Sequence, residues 1–191
     1  MWYFSLFRGV FQYTLGMQAK QDMRTSMKVK LTQMSGQQIF YSSEKIIQQL
    51  MPLIDQYHVW SVFLPSKYEP QVQKFIQLLL SKGKQVVVPQ SDGNILVPII
   101  YTTESKFHTW LYGIQEIKHG VQYIWPIDII LVPGLAFSTD GKRLGRGMWY
   151  YDTFLAQYPK TKKIWLCFDV QLTSEVPMLE HDMMVDEAIA G

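Results

Sequence analysis

The chain has 191 residues, 48% hydrophobic and 18% charged, with a formal net charge of +2 at pH 7. That length supports one domain with a full core, and the apolar content excludes a disordered chain. The near balance of charge excludes the domain-wide basic excess typical of nucleic-acid binders. Cys167 is the only cysteine, so no intramolecular disulfide can form and a reducing compartment, the cytoplasm, is expected.

Residues 1–16, MWYFSLFRGVFQYTLG, are too short and too interrupted by Arg8, Gly9 and Gln12 to span a membrane. No A-x-A cleavage pattern follows, so they read as an N-terminal extension of unknown role, with Met17 opening a single domain over 17–191. Met23, Met27, Leu31 and Met34 recur at helical spacing and predict a helix over 18–34. Ser35 and Gln38 form a capping-box pattern that opens a second helix, carrying Ile39, Ile46, Ile47 and Leu50. HVWSVFL (58–64) predicts a strand, and Pro70 is expected as the first residue of a helix stopped by Gly83. QVVVP (85–89) and ILVPIIY (95–101) are strands around an SDGN turn, with Pro98 marking an edge or bulge. Residues 102–126 show no clear period. DIILVP (128–133) is the strongest buried strand. A long loop over 134–147, a helix over 149–158 and a strand at KIWLCF (163–168) complete the pattern. Alternating strands and helices predict an α/β domain with a mostly parallel sheet.

Ligands of open α/β sheets bind beyond the carboxyl ends of the strands, where the 134–147 loop is expected. Gly145 and Gly147 allow close backbone approach, and Arg143 and Arg146 add guanidinium groups suited to phosphate or carboxylate. Asp152 suits either a helix N-terminal cap or Mg²⁺ against bound phosphates. Asp182 and Asp186 lie near the other end of the chain. Lys20 and Arg24 share one helix face, with Lys28 and Lys30 nearby, which also describes a solvated basic face. His58, His108, His119 and His181 have no metal-ligand spacing, and Cys167 sits in an apolar run suited to an inert thiol.

These pieces occur in the order KQDMR (20–24), FLPSKYE (63–69), GIQE (113–116), DIILVPGLAFSTDGKRLGRGMWYYDTFL (128–155), CFDVQ (167–171) and EHDMMVD (180–186). In these runs, over about residues 17–189, the chain resembles the 5-formyltetrahydrofolate cyclo-ligase family. The resemblance implies a three-layer αβα sandwich of the sugar-phosphate isomerase and CoA-transferase kind. It implies an ATP-dependent ligase of one-carbon metabolism, a cytoplasmic monomer with no nucleic-acid or membrane partner. Its substrates would be 5-formyltetrahydrofolate and ATP, with Mg²⁺ as cofactor, and its products 5,10-methenyltetrahydrofolate, ADP and phosphate. By the same resemblance Lys20, Arg24, Arg143, Gly145 and Gly147 would bind ATP. Leu64, Glu69, Arg146, Gly147, Met148, Trp149 and Tyr150 would line the folate site. Arg146 and Tyr150 would act at the reacting atoms, and Asp152 and Asp182 would hold the metal.

The chain departs from the family pattern at Met148 and Trp149, where small residues including a glycine are usual, at Ser138, and at Pro70 and Gln71. An indole at 149 has the bulk to fill the phosphate site or the flat face to stack on a ligand ring. Two further readings therefore stand beside the ligase: a non-catalytic folate- or nucleotide-binding relative, and an ATP-dependent enzyme of another N-formyl or amide substrate. ATP consumption with 5-formyltetrahydrofolate separates them.

Overall fold

The computed structural model describes residues 2–109, 115–147, 150–179 and 182–191, with side chains from Tyr13 onward. The first helix, α1 (Trp2–Gln33), starts well before the expected position and runs unbroken through Gly16 and Met17. Ser35 then caps α2 (Gly36–Leu50). Its Oγ accepts from the Gln38 backbone N–H at 3.2 Å, and Gln38 Oε1 accepts from the Ser35 N–H at 2.8 Å. The expected capping box is therefore formed, which satisfies two otherwise orphaned donors.

A six-stranded sheet forms the centre, in the order β11 (Glu187–Ala190), β9 (Lys162–Cys167), β6 (Ile129–Val132), β1 (Val59–Ser61), β2 (Gln85–Asp92) and β3 (Ile95–Tyr101). All neighbours are parallel except the β2–β3 hairpin. Its turn is tight because Gly93 takes a φ of 61°, which costs a glycine nothing. Pro98 lies on the edge strand, as its missing N–H requires.

Side chains alternate across the sheet and so divide the core into two. Trp60, Ile129, Leu131, Ile164 and Leu166 face one way and pack with Met27 and Leu31 of α1, Ile46 and Leu50 of α2, and Phe75 and Leu79 of α3 (Gln73–Ser81). Val59, Ile130, Val132, Trp165 and Cys167 face the other way and pack with Phe154 and Leu155 of α4 (Tyr150–Ala156). Helices on both faces of a mostly parallel sheet give the three layers. Each large apolar side chain sealed here contributes about 1.5–3 kcal/mol.

Several expected boundaries shift. Pro70 is not the first residue of α3, which begins at Gln73 after a Val72 cap. The preceding segment is a separate turn. The Gln71 side-chain amide donates to the carbonyls of Ser66 (2.9 Å) and Glu69 (2.6 Å), and its backbone N–H donates to buried Ser43 Oγ at 2.9 Å. The expected 134–147 loop also contains order. It folds into a small hairpin of β7 (Ala136–Ser138) and β8 (Arg143–Leu144), with β10 (Leu172–Thr173) on its other side. Gly134 admits that hairpin, because a Cβ there would lie 2.8 Å from the Phe137 ring. The aperiodic stretch 102–126 carries the pair β4 (Phe107–Thr109) and β5 (Gln115–Ile117).

Candidate active site

A cavity of about 610 Å³ opens beyond the carboxyl ends of β1 and β6, in the size range of small-molecule sites. Its described lining comes from one face of α1, the 63–69 segment, the β2–β3 hairpin, β5, the β7–β8 hairpin with the start of α4, and Leu179 and Asp182. Every described residue singled out from the sequence for substrates or metal lines this one cavity. Met148 and Trp149 lie outside the described residues.

The α1 face is not simply solvated. Lys20 is only 3% exposed and its Nζ forms an ion pair with Asp182 Oδ2. Asp182 is further fixed by the Leu179 N–H, which donates to it at 2.5 Å. One turn on, Arg24 Nε donates to the Gly145 carbonyl at 3.0 Å. Burial lowers the Arg24 pKa below the usual guanidinium value, while Asp182 and Asp152 oppose that shift. Both carboxylates therefore act on this one side chain. Gly147 is required beside it. Its φ is 102°, and a Cβ would stand 3.3 Å from the Arg24 guanidinium carbon.

Arg143 is nearly sealed, its side chain 2% exposed. Nη2 donates to Asp152 Oδ1 at 2.8 Å and Nη1 to the Pro133 carbonyl at 3.1 Å. Its guanidinium carbon lies 5.7 Å from the centre of the Tyr151 ring. Burial pushes the Tyr151 hydroxyl pKa well above the ordinary phenol range, so it stays protonated. The guanidinium thus fixes Asp152, whose Oδ1 also accepts from the Met183 N–H at 3.3 Å.

In the 63–69 segment, Glu69 is 7% exposed and both its oxygens are held. Oε1 accepts from Arg146 Nη2 at 2.8 Å and Nε at 3.2 Å, and Oε2 from the Ser66 N–H at 2.7 Å. Leu64 and Phe63 add apolar surface beside it, and Tyr150 lines the wall at the start of α4. The cavity therefore has a cationic side along α1 and a buried carboxylate at Glu69. Asp152 and Asp182 are two further carboxylates positioned by cations.

Sequence reasoning missed Ser66, Tyr151, Leu179 and Met17 in this wall, and read Lys28 only as part of a basic face. Lys28 carried a usable signal, since it follows Lys20 and Arg24 at four-residue intervals. Glu116, the end of the GIQE run, also lines the cavity. Its carboxylate lies 3.6 Å from His108 Nε2.

The sequence pattern of the 5-formyltetrahydrofolate cyclo-ligase family matches residues 16–191. A probable 5-formyltetrahydrofolate cyclo-ligase of Caenorhabditis elegans is 28% identical over 190 residues, covering 90% of this chain and 92% of the relative. The 5-formyltetrahydrofolate cyclo-ligase of Mus musculus is 29% identical, covering 90% and 93%. Among solved structures, the 5,10-methenyltetrahydrofolate synthetase of Aquifex aeolicus is similar with a TM-score of 0.79. It is 27% identical, with 90% of this chain and 89% of that chain covered. The match spans nearly the whole chain and every wall of the cavity, and the chain belongs to the 5-formyltetrahydrofolate cyclo-ligase family.

Proposed function

We propose that this cavity carries out the ATP-dependent conversion of 5-formyltetrahydrofolate to 5,10-methenyltetrahydrofolate, with ADP and phosphate as the other products. The formyl oxygen attacks the γ-phosphorus of ATP, and the bond to the ADP oxygen breaks. The resulting imidate phosphate has an electrophilic formyl carbon. The neighbouring folate N10 adds to that carbon, loses its proton, and the C–O bond breaks to release phosphate. No protein nucleophile is needed. The chain must hold two substrates in line and neutralise charge, which is how phosphoryl transfer is usually accelerated.

The observation that supports this most directly is the meeting of Lys20, Arg24, Glu69, Arg146, Asp152 and Asp182 in one cavity. Lys20 and Arg24 face the triphosphate, beside Gly145 and Gly147, whose lack of side chains leaves the backbone accessible. Arg143 acts behind Asp152. Glu69 accepts from the pterin N–H groups, with Leu64 against the ring. Arg146 and Tyr150 lie between the two substrates, and Arg146 neutralises the phosphate as it transfers. Met148 and Trp149 directly follow Gly147 in the sequence. No group of three or more His, Cys, Asp or Glu able to hold a metal occurs among the described residues. Asp152 and Asp182 nevertheless fit Mg²⁺, which commonly takes one or two carboxylates plus phosphate oxygens and water. When bound there, Mg²⁺ would supply positive charge to the phosphates. Among the described residues no helix is long and apolar enough to cross a membrane. We place the enzyme in the cytoplasm as a monomer, with Cys167 as a free thiol.

The test is purified chain with 5-formyltetrahydrofolate, ATP and Mg²⁺, followed by the near-ultraviolet absorbance of the conjugated methenyl product. An ATP-dependent rise is expected. Tight folate binding without ATP consumption would overturn catalysis and leave a binding protein.

A further inference from the structure

The cations that line the cavity are not equally engaged. Lys20 is paired with Asp182, Arg143 with Asp152 and Arg146 with Glu69. Arg24 donates to a carbonyl and feels two carboxylates. Lys28 lines the same cavity, but its ammonium makes no ion pair or hydrogen bond among the described residues. Its place on α1 is informative. Lys20 is buried, Arg24 half-buried and Lys28 exposed, so the helix face runs from the cavity floor to its mouth. Successive members lie four residues, about 6 Å, further along the helix. A ligand that extends outward from Lys20 along this helix face meets Lys28.

We propose that Lys28 is a substrate-binding residue that takes an oxyanion at the outer end of a bound substrate. That oxyanion is a glutamyl carboxylate of the folate or a phosphate of the nucleotide. This rests on reading the cavity as a folate and nucleotide site. The chemistry is the same for either source: an ammonium group with no internal counter-ion, at an opening where an anion leaves the cavity. An ammonium is a flexible point charge, which suits a chain of carboxylates or a phosphate edge without demanding one geometry.

Lys28→Gln and Lys28→Arg are compared with the unaltered chain by KM for ATP and for 5-formyltetrahydrofolate carrying one or several glutamates. Measurements are made at low and high salt. Lys28→Gln should raise one KM by about three- to fivefold at low salt, the range of an exposed ion pair. The difference should close at high salt, and Lys28→Arg should stay near the unaltered chain. A rise for folate that grows with glutamate number assigns the carboxylates. A rise for ATP assigns the phosphate. If both KM values stay unchanged at low salt, Lys28 is a solvated lysine and the proposal falls. If the unaltered chain shows no turnover, the proposed reaction fails separately. Equilibrium titration of ATP and of polyglutamylated folate onto both proteins then reads Lys28 directly, and unchanged dissociation constants overturn its role.

Discussion

The two ends of the central sheet use charge in opposite ways. At the amino ends of the parallel strands, dangling N–H groups point outward and carboxylates meet them. Asp128 Oδ2 accepts from the N–H groups of His58 and Val59, both at 2.8 Å, and Asp186 Oδ2 accepts from the Lys163 N–H at 2.7 Å. At the carboxyl ends the dangling groups are carbonyls, and donors meet them. Beyond β6, Arg143 binds the Pro133 carbonyl and Gln171 the Gly134 carbonyl, and Arg24 binds the Gly145 carbonyl of the adjoining hairpin. Cations gathered there by backbone polarity leave part of their charge facing a cavity. The amino end is closed by its own carboxylates, whereas the carboxyl end retains charge for a ligand.

That contrast can be broken by substitution. Asp152→Ala should have the largest effect, because it strands the sealed Arg143 guanidinium. Stability should fall by about 3 kcal/mol in urea unfolding, and turnover by at least ~100-fold. Gly147→Ala should follow. It forces a side chain into a left-handed conformation against Arg24, at about 1–3 kcal/mol of strain, and should raise KM for ATP. Glu69→Gln keeps the shape but removes the charge that binds Arg146 and that, on the proposed reading, faces the pterin. KM for 5-formyltetrahydrofolate should rise by roughly tenfold, about 1.4 kcal/mol. A rise for ATP alone would reverse the two ends of the site. Asp128→Ala, at the amino end, should cost about 1 kcal/mol of stability and leave turnover intact. If it abolished turnover like Asp152→Ala, the distinction between the two ends would be lost.

An effect confined to high pH, and absent at neutral pH, is also expected. Burial pushes the Cys167 thiol up to about 12 from its ordinary 9.0. Below pH 9 the thiol is protonated in both folded and unfolded chains, so it does not alter stability. Between about pH 9 and 12 the unfolded chain gives up this proton first, so stability falls as pH rises. Cys167→Ala should flatten that part of the urea-midpoint profile.

The strands were legible in the sequence where they were long and apolar, as at DIILVP and KIWLCF, because burial on both faces demands continuous hydrophobic runs. The capping box at Ser35, the stop at Gly83 and the hairpin at Gly93 were legible because cap and turn chemistry acts over a few residues. The β7–β8 hairpin was not, since strands of three and two residues carry no period. Pro70 misplaced the start of α3 because the Ser66–Gln71 turn depends on Ser43, far away in the chain.

By itself, then, the sequence determined the fold class and the family and singled out charged residues that the fold gathers around one cavity, because these rest on local periodicity and ordered runs of residues. Only the tertiary structure decided what each charge does. Arg143 and Arg146 look alike in the loop, yet one is sealed against Asp152 and the other half-exposed against Glu69. Lys20 and Lys28 look alike on α1, yet one is buried in a pair and the other faces the mouth with no partner among the described residues. A charge acts through its distance to a counter-charge and its depth from water, and both are set by segments that meet only when the chain folds.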